Sequence, residues 1–294
     1  MKFTDIIIKR KRGLNTHKKV LNNMKKILII FICVFIVLAI TSGVVISALN
    51  NEKINVLIYG LDGRENSEIE RSDSIILMNY HFVDSKITLT SIPRDSYVKI
   101  TCKNNNYDKI NHAYAYGGEK CLNSTVKQLF DLKTLKNIVF TFDSVISLID
   151  YFGLIEITPV YSFCQYDEYG ENKYCFEKDK KILIDGRQAL AYMRARKDLP
   201  SGDFDRIKNQ RQIFRILINE FLKLSLVEKI KFYNYAKKIV STDLEIKDIN
   251  LKKLINIQQI NLNEYTLKGE DYFSTYYYYK LDYEYLEKIK KFYI

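Results

Sequence analysis

Histidine is scarce in this chain: three among 294 residues. His17 lies in a basic N-terminal tail, His81 inside an expected strand, and His112 beside Lys109. A Ser-His-Asp triad therefore has little to draw on. For His112 an ordinary surface or capping role stands beside phosphate stabilisation. Glycine number eleven and proline three, and neither a Walker loop nor a Rossmann glycine fingerprint occurs. Tryptophan is absent while tyrosine reaches 23, a bias that goes with the many Lys, Ile and Asn residues and carries no chemistry by itself.

Charge is missing from one long stretch. Ile27 to Leu49 holds no ionisable carboxylate or amine, only Thr41, Ser42, Ser47 and Gly43 among apolar residues. At about 1.5 Å per residue it reaches roughly 34 Å, enough to cross a bilayer. It is too long for a secretory h-region and has no small-x-small cleavage site. Residues 1–26 carry nine Lys/Arg against Asp5 alone, and no positive cluster follows the apolar run. The positive-inside bias then places 1–26 as a basic cytoplasmic tail, 27–49 as a transmembrane helix, and 50–294 outside the cell membrane, a single-pass type II arrangement. Most of the net charge of +11 sits in that tail. The body is nearly balanced, which argues against a nucleic-acid partner.

Cysteine is also sparse. Cys33 falls in the apolar run, leaving Cys102, Cys121, Cys164 and Cys175 outside. An even number in an oxidising compartment suggests two disulfides. Three connectivities are open. Pairing sequence neighbours, Cys102 with Cys121 and Cys164 with Cys175, is the economical one. Zinc is the weaker alternative, because no Cys-x-x-Cys spacing is present.

Periodicity supplies the fold. Ile54–Gly60, Ser74–Phe82 and Lys86–Ile92 read as strands, the last two joined by a Val83-Asp84-Ser85 turn. Pairing Phe82 with Lys86 sets Asp73 opposite Asp95, so Arg71, Asp73, Arg94 and Asp95 meet at one hairpin end. A solvated hairpin end of mixed charge is the plainer account. Gly117-Gly118 closes a short helix, and Asn123–Leu129 forms another. Lys136–Phe142 is a strand, Asp143 the N-cap of a helix to Phe152, and Leu154–Val160 a further strand. Helices are expected over Val227–Val240, Leu251–Ile257 and Tyr283–Phe292, and strands over Tyr265–Leu267 and Thr275–Tyr279. Strands and helices mixed throughout one segment predict an α/β fold, an αβα sandwich with a mixed central sheet behind one N-terminal transmembrane helix.

The stretch Ile184–Gln212 stands apart. A loop with Pro200, Ser201 and Gly202 separates Arg194-Ala195-Arg196 from a helix opening at Asp203. Asp203, Arg206 and Gln210 share one face of it, continuing into Phe214 or Ile213, Leu217 and Phe221. A half-buried arginine needs either carboxylates or an anionic ligand. An internal ion-pair cluster around Asp203 and Asp205 satisfies the same pattern.

Six motifs in order give the chain a resemblance to the LytR-CpsA-Psr family of bacterial envelope proteins. They are Gly60-x-Asp62-x-Arg64 after a strand, Arg71-Ser72-Asp73, Ser91-Ile92-Pro93-Arg94-Asp95, and Asp108-Lys109-Ile110-Asn111 with Ala115-Tyr116-Gly117-Gly118. Asp185-Gly186 with Ala189-Leu190 follows, then Arg194-x-Arg196 with Asp203-x-x-Arg206-x-x-x-Gln210. Two positions depart: the family usually has Gly at Asp205 and Arg at Asn209. The resemblance implies a membrane-anchored extracellular phosphotransferase. It would move a glycopolymer phosphate, teichoic acid or capsule, from a polyprenyl diphosphate carrier to a peptidoglycan hydroxyl during cell wall biogenesis. The alternatives are a polyprenyl diphosphate hydrolase and a non-enzymatic envelope regulator, the older transcriptional attenuator reading.

Phosphoryl transfer needs mainly positioning and charge neutralisation, and the residues suit that. Asp62 and Asp73 are the expected ligands of a magnesium ion, Mg2+. Arg94 and Arg206 are the expected catalytic cations, with Asp95 either a base for the acceptor hydroxyl or the ion-pair partner of Arg94. Arg64, Lys109, Arg194, Arg196 and Gln210 are expected to bind the diphosphate, with Asp203 holding an arginine in place. Strands Ile54–Tyr59, Ile75–Tyr80 and Val139–Phe142, with Leu217 and Phe221, are either ordinary core or the wall of a lipid tunnel.

Overall fold

The computed structural model describes residues 52–61, 72–245, 248 and 260–294. The basic tail, the expected membrane helix at 27–49, the segment carrying Asp62, Arg64 and Arg71, and the expected helix at 251–257 lie outside the described residues. Asn51–Ile294 is one compact unit. Among the described residues no helix is long and apolar enough to cross a membrane.

In chain order the elements begin with β1 (Lys53–Leu61), β2 (Ser72–His81), β3 (Lys86–Ser91), β4 (Tyr97–Lys99), β5 (Tyr107–Lys109), α1 (His112–Phe130) and β6 (Lys136–Phe140). Next come α2 (Phe142–Asp150), β7 (Ile155–Ile157), β8 (Phe163–Tyr166), β9 (Lys173–Phe176), β10 (Ile182–Ile184) and α3 (Gly186–Arg194). The chain closes with α4 (Asp203–Lys223), α5 (Leu226–Ile239), β11 (Ser241–Thr242), β12 (Asn261–Thr266), β13 (Gly269–Phe273), β14 (Tyr277–Leu281) and α6 (Tyr283–Lys290).

The central sheet runs β11-β6-β1-β2-β3-β12. It is mixed: β1 pairs β6 in parallel and β2 antiparallel, and β12 joins β3 in parallel. The two-residue alternation of a strand divides its side chains between two faces. Leu57, Tyr59, Ile75 and Leu77 face α1 and α6, packing with Leu122, Val126, Phe130, Leu286 and Ile289. Val56, Ile58 and Ile76 face α4, packing with Phe214, Ile218 and Leu222. Helices thus cover both faces of the sheet. A third cluster joins α3 to β7, β8, β9 and β10 through Tyr192, Phe163, Phe176, Ile155 and Ile184.

Three local details differ from the sequence expectation. The β2–β3 hairpin pairs His81 with Lys86, one residue off the expected Phe82 partner, because four residues form the turn. Ile92 N–H continues that register by donating to the Ile75 carbonyl, so Asp73 stands opposite Arg94 instead of Asp95. The α2 helix is capped by Thr141, whose hydroxyl accepts from Ser144 N–H while Ser144 bonds back in a capping box; Asp143 is inside the first turn. The Gly117-Gly118 pair does break its helix, since both have non-helical dihedrals, yet helical structure resumes directly and α1 is a kinked pair.

Candidate functional site

A cavity of about 1110 Å³ opens between the sheet, α2, α3, α4 and the β8–β9 hairpin. Each wall has a local cause. Arg94 sits in a turn closed by Ser96, whose N–H and hydroxyl both donate to the Pro93 carbonyl, at 3.0 and 2.6 Å. The Asp185-Gly186 motif serves packing. Asp185 and Gln188 form a capping box for α3, and a Cβ on Gly186 would lie 2.4 Å from the Ile146 carbonyl of α2. That close approach is what lets Arg194, at the end of α3, reach the cavity. Gly202 has φ of 51°, a left-handed turn that opens α4 with Asp203 facing inward.

At one end the cavity is lined by Asp73, Arg94, Arg194, Arg196, Arg206 and Gln210. Arg94 Nη1 donates to Asp73 Oδ1 at 2.8 Å, and Arg94 Nε lies 3.6 Å from Asp95 Oδ2. Arg206 Nη2 donates to the Asp73 carbonyl at 2.8 Å and pairs with Asp203 Oδ1 at 2.7 Å. Arg196 Nε approaches the same Asp203 oxygen at 3.8 Å from a half-exposed position. Gln210 accepts from Ser74 Oγ at 2.9 Å and donates to the Met193 carbonyl at 3.3 Å. The Arg194 guanidinium sits 4.8 Å from the Phe142 ring centre.

The two inner arginines differ electrostatically. Burial works against the charge of Arg94, but Asp73, Asp95 and Asp203 outweigh it and raise its pKa. Burial dominates at Arg206 and lowers its pKa; Asp203 and Asp73 oppose this, while Arg94 and Arg196 add to it. Arg206 is 8% exposed, and its Nε has no hydrogen-bond partner among the described residues. A buried guanidinium with donor capacity left over is poised for an anion.

Asp95 and Lys109 stand just behind this end and outside the cavity lining. Lys109 Nζ donates to Asp95 Oδ1 at 2.7 Å, so the carboxylate is gripped by Lys109 on one side and Arg94 on the other. The two unusual positions of α4 also point elsewhere. Asp205 is 1% exposed; its carboxylate accepts from Ser201 N–H and Lys208 Nζ, both at 2.7 Å. Asn209 is buried and donates to the Tyr192 carbonyl at 3.2 Å. Arg211 is likewise absent from the lining and lies near Glu264 and Arg215. Asp62 and Arg64 lie outside the described residues.

The other end of the cavity is apolar: Ile58, Ile76, Phe140, Val145, Leu148 and Leu217 line it. Phe221, expected in the same wall, instead packs on Phe232 of α5. Sequence reasoning missed Ser74, Met193 and the hairpin residues Gln165, Tyr166 and Lys173, all of which line the cavity. The bracket of Cys164 and Cys175 was the available signal for the hairpin. Those two cysteines are bonded to each other, as are Cys102 and Cys121.

A Bacillus licheniformis protein named polyisoprenyl-teichoic acid–peptidoglycan teichoic acid transferase TagU is 31% identical over 236 residues, covering 79% of this chain and 74% of its own length. A Streptococcus mutans protein named biofilm regulatory protein A is 28% identical over 284 residues, covering 84% and 70%. Among solved structures, B. subtilis TagV matches with a TM-score of 0.72 at 27% identity, covering 82% of this chain and 96% of that one. A structure of TagT bound to LIIa-WTA matches with a TM-score of 0.65 at 25% identity, covering 82% and 89%. The LytR_cpsA_psr family model matches residues 10–293, and the chain belongs to that family.

Proposed function

We propose that this protein is a membrane-anchored transferase acting outside the cell. It takes a glycopolymer phosphate from a polyprenyl diphosphate and joins it to a peptidoglycan hydroxyl. The carrying observation is one cavity with two kinds of wall: an arginine end able to hold a diphosphate and an apolar end able to hold the first prenyl units. Relatives named as teichoic acid transferases supply the polymer class.

In this reading the acceptor oxygen attacks the phosphorus that carries the polymer. The bond from that phosphorus to the bridging oxygen breaks, prenyl phosphate departs, and the hydroxyl proton passes to solvent. Arg206 and Arg94 meet the charge on the phosphoryl oxygens, and Arg194 and Arg196 hold the remaining phosphate. Gln210, fixed by Ser74, sets the orientation. Asp95, held between two cations, acts as a positioning residue for Arg94. Among the described residues no group of three or more His, Cys, Asp or Glu forms a metal cluster. The fit to Mg2+ therefore rests on Asp73 in the cavity wall, with Asp62 next after β1 and substrate phosphates for the rest. A bound Mg2+ would neutralise diphosphate charge.

The test is incubation with a polyprenyl-diphosphate-linked glycan, Mg2+ and peptidoglycan fragments. Polymer-linked fragments, lost with EDTA, are the expected product. Release of polymer without linkage would mean a hydrolase. No turnover at all, with wild-type function kept by Arg94→Ala, would mean a regulator.

A further inference from the structure

Beside Arg94 and Asp95 a small four-strand assembly carries a row of tyrosines. β5 pairs with β4, and β13 with β14. The two pairs join where Ser96 bridges Tyr279 and Tyr279 N–H donates to the Asp95 carbonyl at 2.8 Å. Each strand contributes one ring: Tyr107, Tyr97, Tyr278 and Tyr272. The row forks at Tyr97, whose ring lies 5.1 Å from Tyr107, 4.8 Å from Tyr278 and 5.8 Å from Tyr272; Tyr278 and Tyr272 lie 6.2 Å apart. Tyr107 and Tyr272 are 44% and 41% exposed. Two cations attend the row: Lys99 Nζ is 5.8 Å from the Tyr107 ring centre, and Lys109 Nζ is 5.7 Å from that of Tyr278.

Single exposed tyrosines need no account. Cross-strand rings also stabilise short strands. A row of four in contact, half-exposed and flanked by lysines, does more than that packing requires. We infer that this row docks the acceptor: an extended, carboxylate-bearing glycan strand. The inference rests on the transferase reading and names the surface that presents the hydroxyl. Sugar rings offer C–H-rich faces that pack on the negative face of an aromatic ring. Tyrosine hydroxyls at the ring edges pair with sugar hydroxyls. Lys99 and Lys109 meet carboxylates on the strand's substituents. Lys109 also ties the row to the cavity, since it grips Asp95, which in turn faces Arg94.

The experiment uses residues 51–294, which form their own compact unit. Binding is measured calorimetrically with muramidase-released peptidoglycan fragments and with neutral chito-oligosaccharides. The Tyr107→Ala/Tyr272→Ala double variant should bind the fragments at least tenfold more weakly. It should also lose transfer while keeping donor hydrolysis to water. The Tyr107→Phe/Tyr272→Phe variant should stay within about threefold of wild type, which separates stacking from misfolding. Lys99→Glu should weaken the anionic fragments and leave the neutral oligosaccharide unchanged. Absent fragment binding in wild type, or unchanged binding in the alanine variant, overturns the inference. If wild type turns over no donor but fragment binding still depends on the tyrosines, the transferase reading fails and the glycan surface stands. If transfer is unaffected by the alanine pair, the surface fails and the transferase stands.

Discussion

The two ends of the cavity are built on the same elements by different physics. Helix α4 supplies Arg206 and Gln210 to one end and Leu217 to the other, along a single stripe. Strand β2 supplies Asp73 and Ser74 to one and Ile76 to the other. At the apolar end the side chains need nothing but neighbours. At the charged end each inner arginine has its own counter-charge: Asp73 and Asp95 for the half-buried Arg94, Asp203 for the buried Arg206. The comparison teaches that the charged end is held by mutual dependence and the apolar end by additive contacts. Substitutions should therefore spread their effects at one end and stay local at the other.

The sharpest break should come at Arg206→Ala. It removes a buried guanidinium from Asp203 and from the Asp73 carbonyl. Transfer should fall to background, and unfolding free energy should drop by roughly 2–4 kcal/mol, because the buried Oδ1 of the half-buried Asp203 is left with only the distant Arg196. Urea titration alongside the transfer assay measures both. A fully stable, active variant would mean the charged end is not interdependent. Next in size is Arg94→Lys. A lysine keeps the charge but cannot contact Asp73, Asp95 and a phosphate as a planar fork. Turnover should fall about 10²–10³-fold with stability within about 1 kcal/mol of wild type. Near-wild-type turnover would show that only a point charge is needed.

The apolar end is tested by Leu217→Asn. It should raise KM for a long-chain prenyl donor about tenfold, on the order of the transfer cost of one lost aliphatic contact. The value of kcat should hold, since the lost contact is made equally before and during reaction. A short-prenyl analogue should be indifferent. An equal effect on both donors would place the lipid elsewhere.

How much of this was legible before the structure depends on which force sets each residue. The sheet strands and α4 were readable because apolar periodicity encodes burial directly. The Asp203–Arg206–Gln210 face was readable for the same reason, being a helical repeat with charge where an apolar residue would be expected. Strands β4 and β5 were not readable: three residues such as Tyr97-Val98-Lys99 carry no period. The hairpin register was missed by one, since a Val83-Asp84-Ser85 turn and a Phe82–Ser85 turn look alike in composition, and only packing decides. Lys109 was read as a phosphate ligand, but the side-chain partner Asp95 comes from a fold-level pairing of β4 with β5. The motif Asp185-Gly186 entered only through the family resemblance; its glycine is required by the approach of α3 to α2.

The smallest effect probes how far the charged network extends behind the cavity. Asp108, next to Lys109, is 8% exposed. It accepts from Lys103 Nζ, from the Tyr116 hydroxyl and from Lys109 N–H, and His112 Nδ1 lies 3.2 Å away. Burial opposes its ionised form, but these donors outweigh burial and lower its pKa from 3.8 to about 2. A carboxylate with a depressed folded pKa adds stability above its unfolded value, and that contribution fades as pH falls through the folded one. The stability gap between wild type and Asp108→Asn should thus be full above about pH 4, on the order of 1–2 kcal/mol. It should close as pH falls toward 2. Leu217→Asn, at the apolar end, should instead track wild type in parallel over the same range. Chemical denaturation at stepped pH reads both curves. A gap in Asp108→Asn that does not narrow with acid would mean that packing, not ion pairing, holds the back of the charged end.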